Sequence, residues 1–311
     1  MVGGRTRRGT AASAATAKAA AHRGTPDFLV IGAMKSGTTT LYFDLASQPS
    51  IAMSTVREPS VLIRAPEPKA AGYYRRMFRL GAEPRRLGEA STLYSQLPRH
   101  RGIPERARRV LGADLRFIYL VRNPVERAIS NHYHEYARGV AGPDVDAAVR
   151  ADPTLVDFGR YAMQLEAWLR VFPTESGLVL RFEDYVADRA GGMRRIGDFL
   201  SVPVDVTRVR ADHAYNRGEE QQVPGRLLRL FSRDLGLVLV RRAIPERVRA
   251  RLKRPFFSSP PARPRAPRPD TVDFLVDRLT PDADRLAAML GWTAPIWDFE
   301  ATRRKYQEAR A

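Results

Sequence analysis

In the stretch "FLVIGAMKSGTTTLYFDL", residues 28–45, an apolar run, a polar loop and an amphipathic run follow one another without a break. It opens with an apolar run over residues 28–33, and this unbroken hydrophobicity predicts a strand buried on both faces, as in a parallel sheet. A short polar loop follows, and an amphipathic helix is predicted over residues 38–47. Because the first backbone N–H groups of a helix have no partners within it, a loop at this position favours a bound anion.

The composition of this loop suits phosphate or sulfate. Gly37 lets the backbone approach a ligand closely, and Lys35 adds a full positive charge. Further donors come from the hydroxyls of Ser36, Thr38 and Thr39. The order G-x-x-K-x-G-T-T differs from the common nucleoside-triphosphate loop, in which the lysine follows the second glycine. A threonine-capped helix without a ligand is the alternative interpretation of so short a pattern.

Further strands and helices alternate along the chain. Apolar runs at residues 115–121 and 178–182 predict two more buried strands. Helical patterns occupy residues 124–137, 161–172, 191–200 and 272–290. Strands separated by helices predict an α/β fold with helices on both faces of a parallel sheet.

A second anion-binding element is predicted in "RFIYLVRNPVERAISNHYHEY", residues 116–136. Arg122 stands at the exit of a buried strand, Asn123 is a suitable N-cap, and Pro124 occupies the first helical position. Ser130 lies two turns further along. A guanidinium can bind phosphate through two parallel hydrogen bonds, to which a hydroxyl adds another donor. A surface arginine and an ordinary helix serine are the alternative, but two such strand-exit sites favour a ligand with separated phosphates.

Taken together, the two motifs resemble those of sulfotransferases that use 3′-phosphoadenosine 5′-phosphosulfate (PAPS). Residues 28–45 are similar to the 5′-phosphosulfate loop of that family, and Arg122 and Ser130 match its 3′-phosphate motif. The similarity runs from about residue 26 to residue 299 and includes the branch of heparan sulfate sulfotransferases and their bacterial relatives. It rests further on "GRYAMQLEAWLRVFP" (159–173), "LVLRFEDYVADRAGGMRRIGDFLSVP" (178–203) and "DADRLAAMLGWTAPIWDF" (282–299).

The resemblance implies a single P-loop-type α/β domain over residues 26–311, with PAPS as co-substrate, PAP (3′,5′-ADP) as product and no metal. The reaction would transfer a sulfuryl group to a hydroxyl, rather than an amine, of a carbohydrate, lipid or secondary metabolite. Lys35 would stabilise the departing 5′-phosphate. Glu58 in "VREPSVL" is the general base that the resemblance selects. An exposed glutamate paired with Arg57 is the alternative for Glu58, and His100 and His213 are alternative bases.

Two departures from the family pattern affect the acceptor and the 3′-phosphate. Where the heparan sulfate enzymes carry E-K-[ST]-P, this chain has "EAST" at residues 89–92, so the second active-site lysine is replaced by Ala90. Heparan sulfate is therefore not implied as the acceptor. The basic loop that closes over the 3′-phosphate in the family is expected somewhere in residues 263–268, without a residue-by-residue match.

Composition excludes several chemistries. The chain has 52 Lys plus Arg against 34 Asp plus Glu, a net charge of +18, which favours anionic partners. It has no cysteine, which excludes disulfides, thiolate metal sites and cysteine nucleophiles. His132 and His134 are two residues apart on a predicted helix, so they do not form an i, i+4 metal pair, and surface or ligand-proximal positions are expected for them.

The two most basic segments lie outside the motifs. Residues 1–25 predict a disordered basic tail that lacks the apolar centre of a secretory signal. Residues 226–268 are predicted to be a basic, partly proline-rich insertion that shapes the substrate side. Its first part reads as a core helical hairpin with a solvated arginine face, or as an amphipathic pair at an anionic membrane or acidic substrate.

Other function classes are less well supported. A P-loop kinase or nucleotidase using ATP and magnesium lacks the expected G-K-[ST] order. A nucleic-acid-binding protein would explain the charge, but no recognition motif accompanies it, so no nucleic-acid partner is predicted. Without an apolar run long enough to cross a bilayer, the prediction is a cytoplasmic protein, with peripheral contact to an anionic membrane as an open alternative. The sequence does not indicate an oligomeric state.

Overall fold

The computed structural model describes residues 24–78, 85–209, 223–224, 257–258 and 261–309. These residues fall into two compact units. The first unit contains residues up to 122 together with the segment from residue 160 to residue 209, and the second contains residues 123–159 and the described residues from 223 onward. All five strands of the main sheet lie in the first unit, whereas the second strand-exit motif is divided, with Arg122 in the first unit and Ser130 in the second.

The first unit is built on a five-stranded sheet. Its strands are β1 (Phe28–Gly32), β2 (Ile51–Met53), β3 (Arg86–Ala90), β4 (Arg116–Val121) and β5 (Gly177–Arg181). The order is β2-β3-β1-β4-β5 and every neighbouring pair is parallel. The predicted α/β class with a central parallel sheet is confirmed. Two short strands in the second unit, β6 (Val223–Pro224) and β7 (Phe257–Ser258), pair antiparallel.

The described residues contain twelve α-helices. In chain order they are α1 (Thr38–Ala46), α2 (Val61–Arg64), α3 (Glu67–Arg75), α4 (Ile103–Leu111), α5 (Pro124–Ala137), α6 (Val145–Ala151), α7 (Thr154–Asp157), α8 (Tyr161–Leu169), α9 (Phe182–Ala187), α10 (Arg189–Leu200), α11 (Pro269–Met289) and α12 (Phe299–Glu308). Five of them, α1, α5, α8, α10 and α11, were predicted from periodicity, with closely similar bounds.

Alternate side chains of β4 face opposite sides of the sheet, as the two-residue period of a strand requires. Ile118 and Leu120 belong to a buried cluster with Leu41 of α1. Phe117 instead packs on Trp168 of α8, with 5.1 Å between the ring centroids. Helices therefore cover both faces of the sheet, as predicted.

The second unit is largely helical and begins at a well-formed helix cap. Asn123 Oδ1 accepts hydrogen bonds from the N–H groups of Val125 (3.0 Å) and Glu126 (3.2 Å), and Pro124 is the first residue of α5. Asn123 Nδ2 donates to Thr302 Oγ1 of α12 at 2.9 Å. The predicted N-cap is confirmed, and the cap also ties α5 to α12.

Some predictions are wrong or lie outside the described residues. His132, which was expected at the surface or near a ligand, is 2% exposed, and its Nε2 lies 3.0 Å from the Gly142 carbonyl oxygen. The basic tail is described only from residue 24, and of the predicted insertion at 226–268 only residues 257–258 and 261–268 are described. Within the described part of the chain, no helix has the length and apolar character needed to span a membrane.

A buried ion pair joins α1 to α10 in the first unit. Arg189 Nη2 and Nε lie 2.5 Å and 3.0 Å from the two oxygens of Asp44, and neither residue is more than 5% exposed. Tyr185 donates a third hydrogen bond to Asp44 at 2.6 Å. Because removal of one partner leaves a buried charge uncompensated, we expect Asp44→Asn to lower the free energy of unfolding by about 3–5 kcal/mol in a urea titration.

The exposed ion pair of Arg208 with Asp205 provides the control. Arg208→Ala should lower the free energy of unfolding by less than about 1 kcal/mol, since water screens the pair. Equal losses for the two variants would show that the buried pair does not stabilise the contact of α1 with α10.

Candidate functional site

The loop between β1 and α1 has an unusual backbone. Lys35 has a φ of 68° and Gly37 a φ of 81°, both in the left-handed region. Such a φ is disfavoured for lysine by roughly 1–2 kcal/mol, so the surrounding structure must impose it. A hydrogen bond from the N–H of Ser36 to the carbonyl of Ala33 (3.2 Å) closes the turn.

Gly37 is required by a close packing contact as well as by its φ. A Cβ atom at this position would lie 2.5 Å from the ring of Phe182, the first residue of α9. On the same ring lies the guanidinium of Arg122, 5.2 Å from the centroid, and Arg122 Nη1 donates to the carbonyl oxygen of Lys35 at 3.3 Å. The structure thus brings Lys35, Gly37 and Arg122 together in the first unit, around a phenylalanine that the sequence analysis did not single out.

The loop residues fit a bound oxyanion. Ser36 is fully buried, and its Oγ has no hydrogen-bond partner among the described residues. A buried hydroxyl without a partner is unfavourable by roughly 1–3 kcal/mol, which a ligand oxygen would relieve. Thr38 and Thr39 lie in the first turn of α1, which has no side-chain cap, and the positive end of the helix dipole there favours an anion.

Glu58 lies between β2 and α2 and is held from the end of β3. Its Oε2 accepts hydrogen bonds from the backbone N–H of Thr92 (2.7 Å) and from Thr92 Oγ1 (3.1 Å). Its own N–H donates to the Ala90 carbonyl at 3.2 Å, and its φ is 53°. Arg57, its alternative partner, places its guanidinium over the Phe43 ring at 5.5 Å. The carboxylate is therefore oriented by Thr92.

The surroundings of Glu58 make it a better proton acceptor than a solvated glutamate. Although the residue as a whole is exposed, protein atoms crowd its carboxylate, and this desolvation raises the pKa of Glu58. The two hydrogen bonds from Thr92 and the charge of Arg57 act in the opposite direction, but they do not cancel it. A carboxylate with a raised pKa, on a residue that is exposed as a whole, suits a general base.

A second carboxylate, Glu89 on β3, lies fully buried behind Glu58 in the same unit. Its Oε2 accepts from the hydroxyls of Tyr94 (2.9 Å) and Tyr74 (3.1 Å), and its Oε1 accepts from Ser91. Burial raises the pKa of Glu89 to about 7, against the lowering effect of these hydrogen bonds. The sequence analysis missed this residue as a functional candidate.

Comparison with known proteins identifies the family. Residues 25–217 match the sulfotransferase domain family, which is more than half of the chain. The chain belongs to this family. The predicted resemblance to sulfotransferases is thereby confirmed, and with it the relation to the heparan sulfate branch.

Individual relatives give the extent of the similarity. The mouse heparan sulfate glucosamine 3-O-sulfotransferase 6 is 31% identical over 192 residues, which cover 58% of this chain and 54% of that protein. The mouse 3-O-sulfotransferase 3A1 is 28% identical over 193 residues, covering 58% and 47% respectively. The chain thus spans about half the length of the curated relatives it matches. A sulfotransferase structure from Alicyclobacillus acidocaldarius shares the fold, with a TM-score of 0.57, 21% identity and coverage of 86% of this chain and 97% of that one.

In the second unit of this sulfotransferase, Ser130 lies half-buried on α5. Tyr133, three residues later on the same helix face, donates to the carbonyl of Pro261 at 3.1 Å, and the Arg263 guanidinium lies 5.3 Å from its ring centroid. Arg268, by contrast, pairs with Asp146 at 3.2 Å. Arg263 of the predicted closing segment therefore packs against α5, the helix that carries Ser130.

The alternative bases are placed elsewhere or not described. His100 lines a cavity of about 320 Å³ together with Trp168 and Met163, and none of the predicted anion-site residues lines that cavity. Burial and the charge of Arg99 lower the pKa of His100. His213 lies outside the described residues. In the described ranges, no cluster of three His, Asp or Glu side chains is arranged to hold a metal ion.

The hydrogen bonds at Glu58 predict the direction of a pKa change. Thr92→Val removes the hydroxyl donor and keeps the backbone donor, so the charged carboxylate is less well stabilised and the pKa of Glu58 should rise further. A carbon-13 NMR titration of the glutamate carboxyls would measure this, with Glu58→Gln used to assign the signal.

Thr55→Val is the matched control, because Thr55 donates to the carbonyl of Met77 and not to Glu58. It should leave the pKa of Glu58 unchanged. A pKa that falls or stays constant in Thr92→Val would contradict the observed geometry.

Proposed function

We propose that this protein transfers the sulfuryl group of PAPS to a hydroxyl of a carbohydrate, lipid or secondary metabolite, with Glu58 as the general base. One observation carries the proposal. The loop at the end of β1 combines a strained Lys35, a buried unpaired hydroxyl on Ser36 and the start of a helix, next to the guanidinium of Arg122. In a chain of the sulfotransferase family, this arrangement supports binding of the 5′-phosphosulfate.

The binding roles follow the two strand-exit motifs. The 5′-phosphosulfate is bound by Lys35, Ser36, Gly37, Thr38 and Thr39. Arg122 and Ser130 bind the 3′-phosphate, and the assignment of Ser130 rests on the sequence motif. From the closing segment we propose Arg263 for the 3′-phosphate, because it contacts Tyr133 of the helix that carries Ser130. These cations and the N–H groups of α1 supply the positive charge that the ligand needs, so the proposal requires no metal ion.

Two residues carry the chemistry. Bound PAPS would supply an activated sulfuryl group. Glu58 takes the proton from the acceptor hydroxyl, for which its raised pKa suits it. Lys35 places its ammonium where negative charge develops on the departing 5′-phosphate, and removing such a contact typically lowers kcat on the order of 100-fold.

The acceptor class is a separate part of the proposal. The matched relatives are named as O-sulfotransferases of glucosamine in heparan sulfate, which supports a carbohydrate hydroxyl. A bifunctional N-deacetylase/N-sulfotransferase also matches at 26% identity, so an amine is the second acceptor to test. Ala90 is buried at the position of the missing lysine. Contact of the basic insertion with an anionic membrane, and a cytoplasmic location, stay predictions.

Turnover of labelled PAPS with a panel of carbohydrate, lipid and phenolic acceptors tests the function. With the best acceptor, Lys35→Ala and Glu58→Gln should each lower kcat on the order of 100-fold, because they remove a charge partner and a proton acceptor. The two variants should differ in ligand binding. Glu58→Gln should keep the affinity for PAP, whereas Lys35→Ala should weaken it.

Matched controls are available on the surface of the first unit. Lys69 and Glu175 are exposed, and Lys69→Ala and Glu175→Gln should leave kcat unchanged. Full activity of Glu58→Gln would show that Glu58 is not the general base. Magnesium-dependent ATP turnover that Lys35→Ala abolishes would instead support the kinase or nucleotidase alternative.

A further inference from the structure

The buried carboxylate of Glu89 has no role in the function proposed above, yet it is placed unusually. Its side chain is fully buried on a strand of the central sheet, and no Lys or Arg of the described residues forms an ion pair with it. Its three hydrogen-bond donors, the hydroxyls of Tyr74, Tyr94 and Ser91, are all neutral. Burying a carboxylate among neutral groups is unfavourable, so a role beyond packing is indicated.

Glu89 is connected to the Glu58 loop, residues 54–60, by a short chain of hydrogen bonds. Ser91 Oγ donates to Glu89 Oε1 and accepts from the backbone N–H of Ser60 at 2.9 Å. Ser60 Oγ in turn lies 3.3 Å from the carbonyl oxygen of Glu58. Glu89 thus orients the Ser91 hydroxyl, which accepts a hydrogen bond from the backbone N–H of Ser60, two residues after Glu58.

The loop needs such an anchor because its backbone is strained. Glu58 and Ser60 have φ values of 53° and 51°, which non-glycine residues adopt only when the surroundings force them to. The end of β3 supplies the restraining contacts, through Ala90, Ser91 and Thr92. Of these, the contact through Ser91 is the one that depends on Glu89.

We propose that Glu89 is a positioning residue for Glu58: through Ser91 it fixes the backbone of the Glu58 loop, and its negative charge strengthens Glu58 as a base. This inference rests on the proposed function, since it assumes that Glu58 accepts a proton. Glu89 itself touches no substrate, because its side chain is completely buried.

The charge coupling has a defined direction. The two carboxylates repel, and the charge on Glu58 is one of the causes that raise the pKa of Glu89 to about 7, after desolvation. The other titratable groups that act on Glu89 are Tyr74 and Tyr94, whose own pKa values burial raises well above the ordinary range, so both stay neutral donors. Below about pH 7 Glu89 takes up a proton and the repulsion on Glu58 disappears, so Glu58 becomes a weaker base.

The test is the pH dependence of kcat/KM at saturating PAPS in Glu89→Gln, which keeps the shape of the side chain but cannot carry a charge. The wild-type profile should show an inflection near neutral pH in addition to the lower one of Glu58. Glu89→Gln should lose the neutral inflection and lower kcat roughly 10- to 100-fold, while the affinity for PAP stays within about twofold of wild type. A wild-type profile without the neutral inflection, or Glu89→Gln with wild-type kcat, would overturn the inference.

Tyr74→Phe separates a charge effect from simple loss of structure. It removes a hydrogen bond that lowers the pKa of Glu89, so the neutral inflection should move to higher pH. A purely structural role for Glu89 gives no such shift, and an unchanged inflection would contradict the charge coupling.

Ser91→Ala tests the hydrogen-bond link between Glu89 and the Glu58 loop. It also tests the positioning role if Glu89→Gln does not fold. It should lower kcat and retain a neutral inflection, because Glu89 is still present, but that inflection should move to higher pH, since the Ser91 hydroxyl also lowers the pKa of Glu89. Ser50→Ala is the control, since the Ser50 hydroxyl donates to the Pro203 carbonyl and does not contact the Glu58 loop. Equal kcat values for the two serine variants would overturn the positioning role. Failure of the proposed function would look different, because wild-type protein would then show no preference for PAP over ADP.

Discussion

The sharp turn from β1 into α1 is the constraint on which the anion site depends. It follows the central strand β1, and left-handed residues at Lys35 and Gly37 bend its backbone. Phe182 packs so closely on Gly37 that no side chain fits there. The guanidinium of Arg122 lies over the same ring. The positive end of the α1 dipole, the lysine and the guanidinium therefore converge at this turn, which favours an anionic ligand.

The two carboxylates near the end of β3 differ because their surroundings differ. Glu58 is exposed, strained and held by Thr92, whereas Glu89 is buried among hydroxyls. Pairs of titratable groups in unlike environments commonly divide acid–base roles. In the roles we propose, Glu58 accepts the proton of the acceptor and Glu89 sets the strength of Glu58 as a base. The hydrogen bonds through Ser91 give this division a structural basis here.

Much of the fold follows from local sequence patterns. The uninterrupted apolar run of β1, the Asn123-Pro124 start of α5 and the periodicity of α11 each carry a strong physical signal, and the structure agrees with all three. Strands β2 and β3 were not predicted, because β2 has only three residues and β3, "RLGEA", contains a glycine and two charged residues. Such strands form because neighbouring strands pair with them, which a local pattern does not contain.

The part of the candidate site that lies in loops after strands could be predicted from the sequence. Lys35, Gly37 and Arg122 were identified from their positions after strands, and the structure brings them together. Phe182 follows β5 and reads as an ordinary core aromatic until its contact with Gly37 is seen. Glu89 carries no pattern of its own, because its importance depends on Tyr74, Ser91 and Tyr94, which reach it only in the folded chain.

In the function proposed above, the site recognises a nucleotide with phosphates on both the 5′ and 3′ positions. Calorimetric titration of the purified protein with PAP and with ADP, at equal and moderate salt, measures this directly. We expect a strong preference for PAP, because Arg122, in the role proposed for it, would add a bidentate contact to the 3′-phosphate that ADP lacks. Equal affinity for the two nucleotides, or no binding of either, would contradict it.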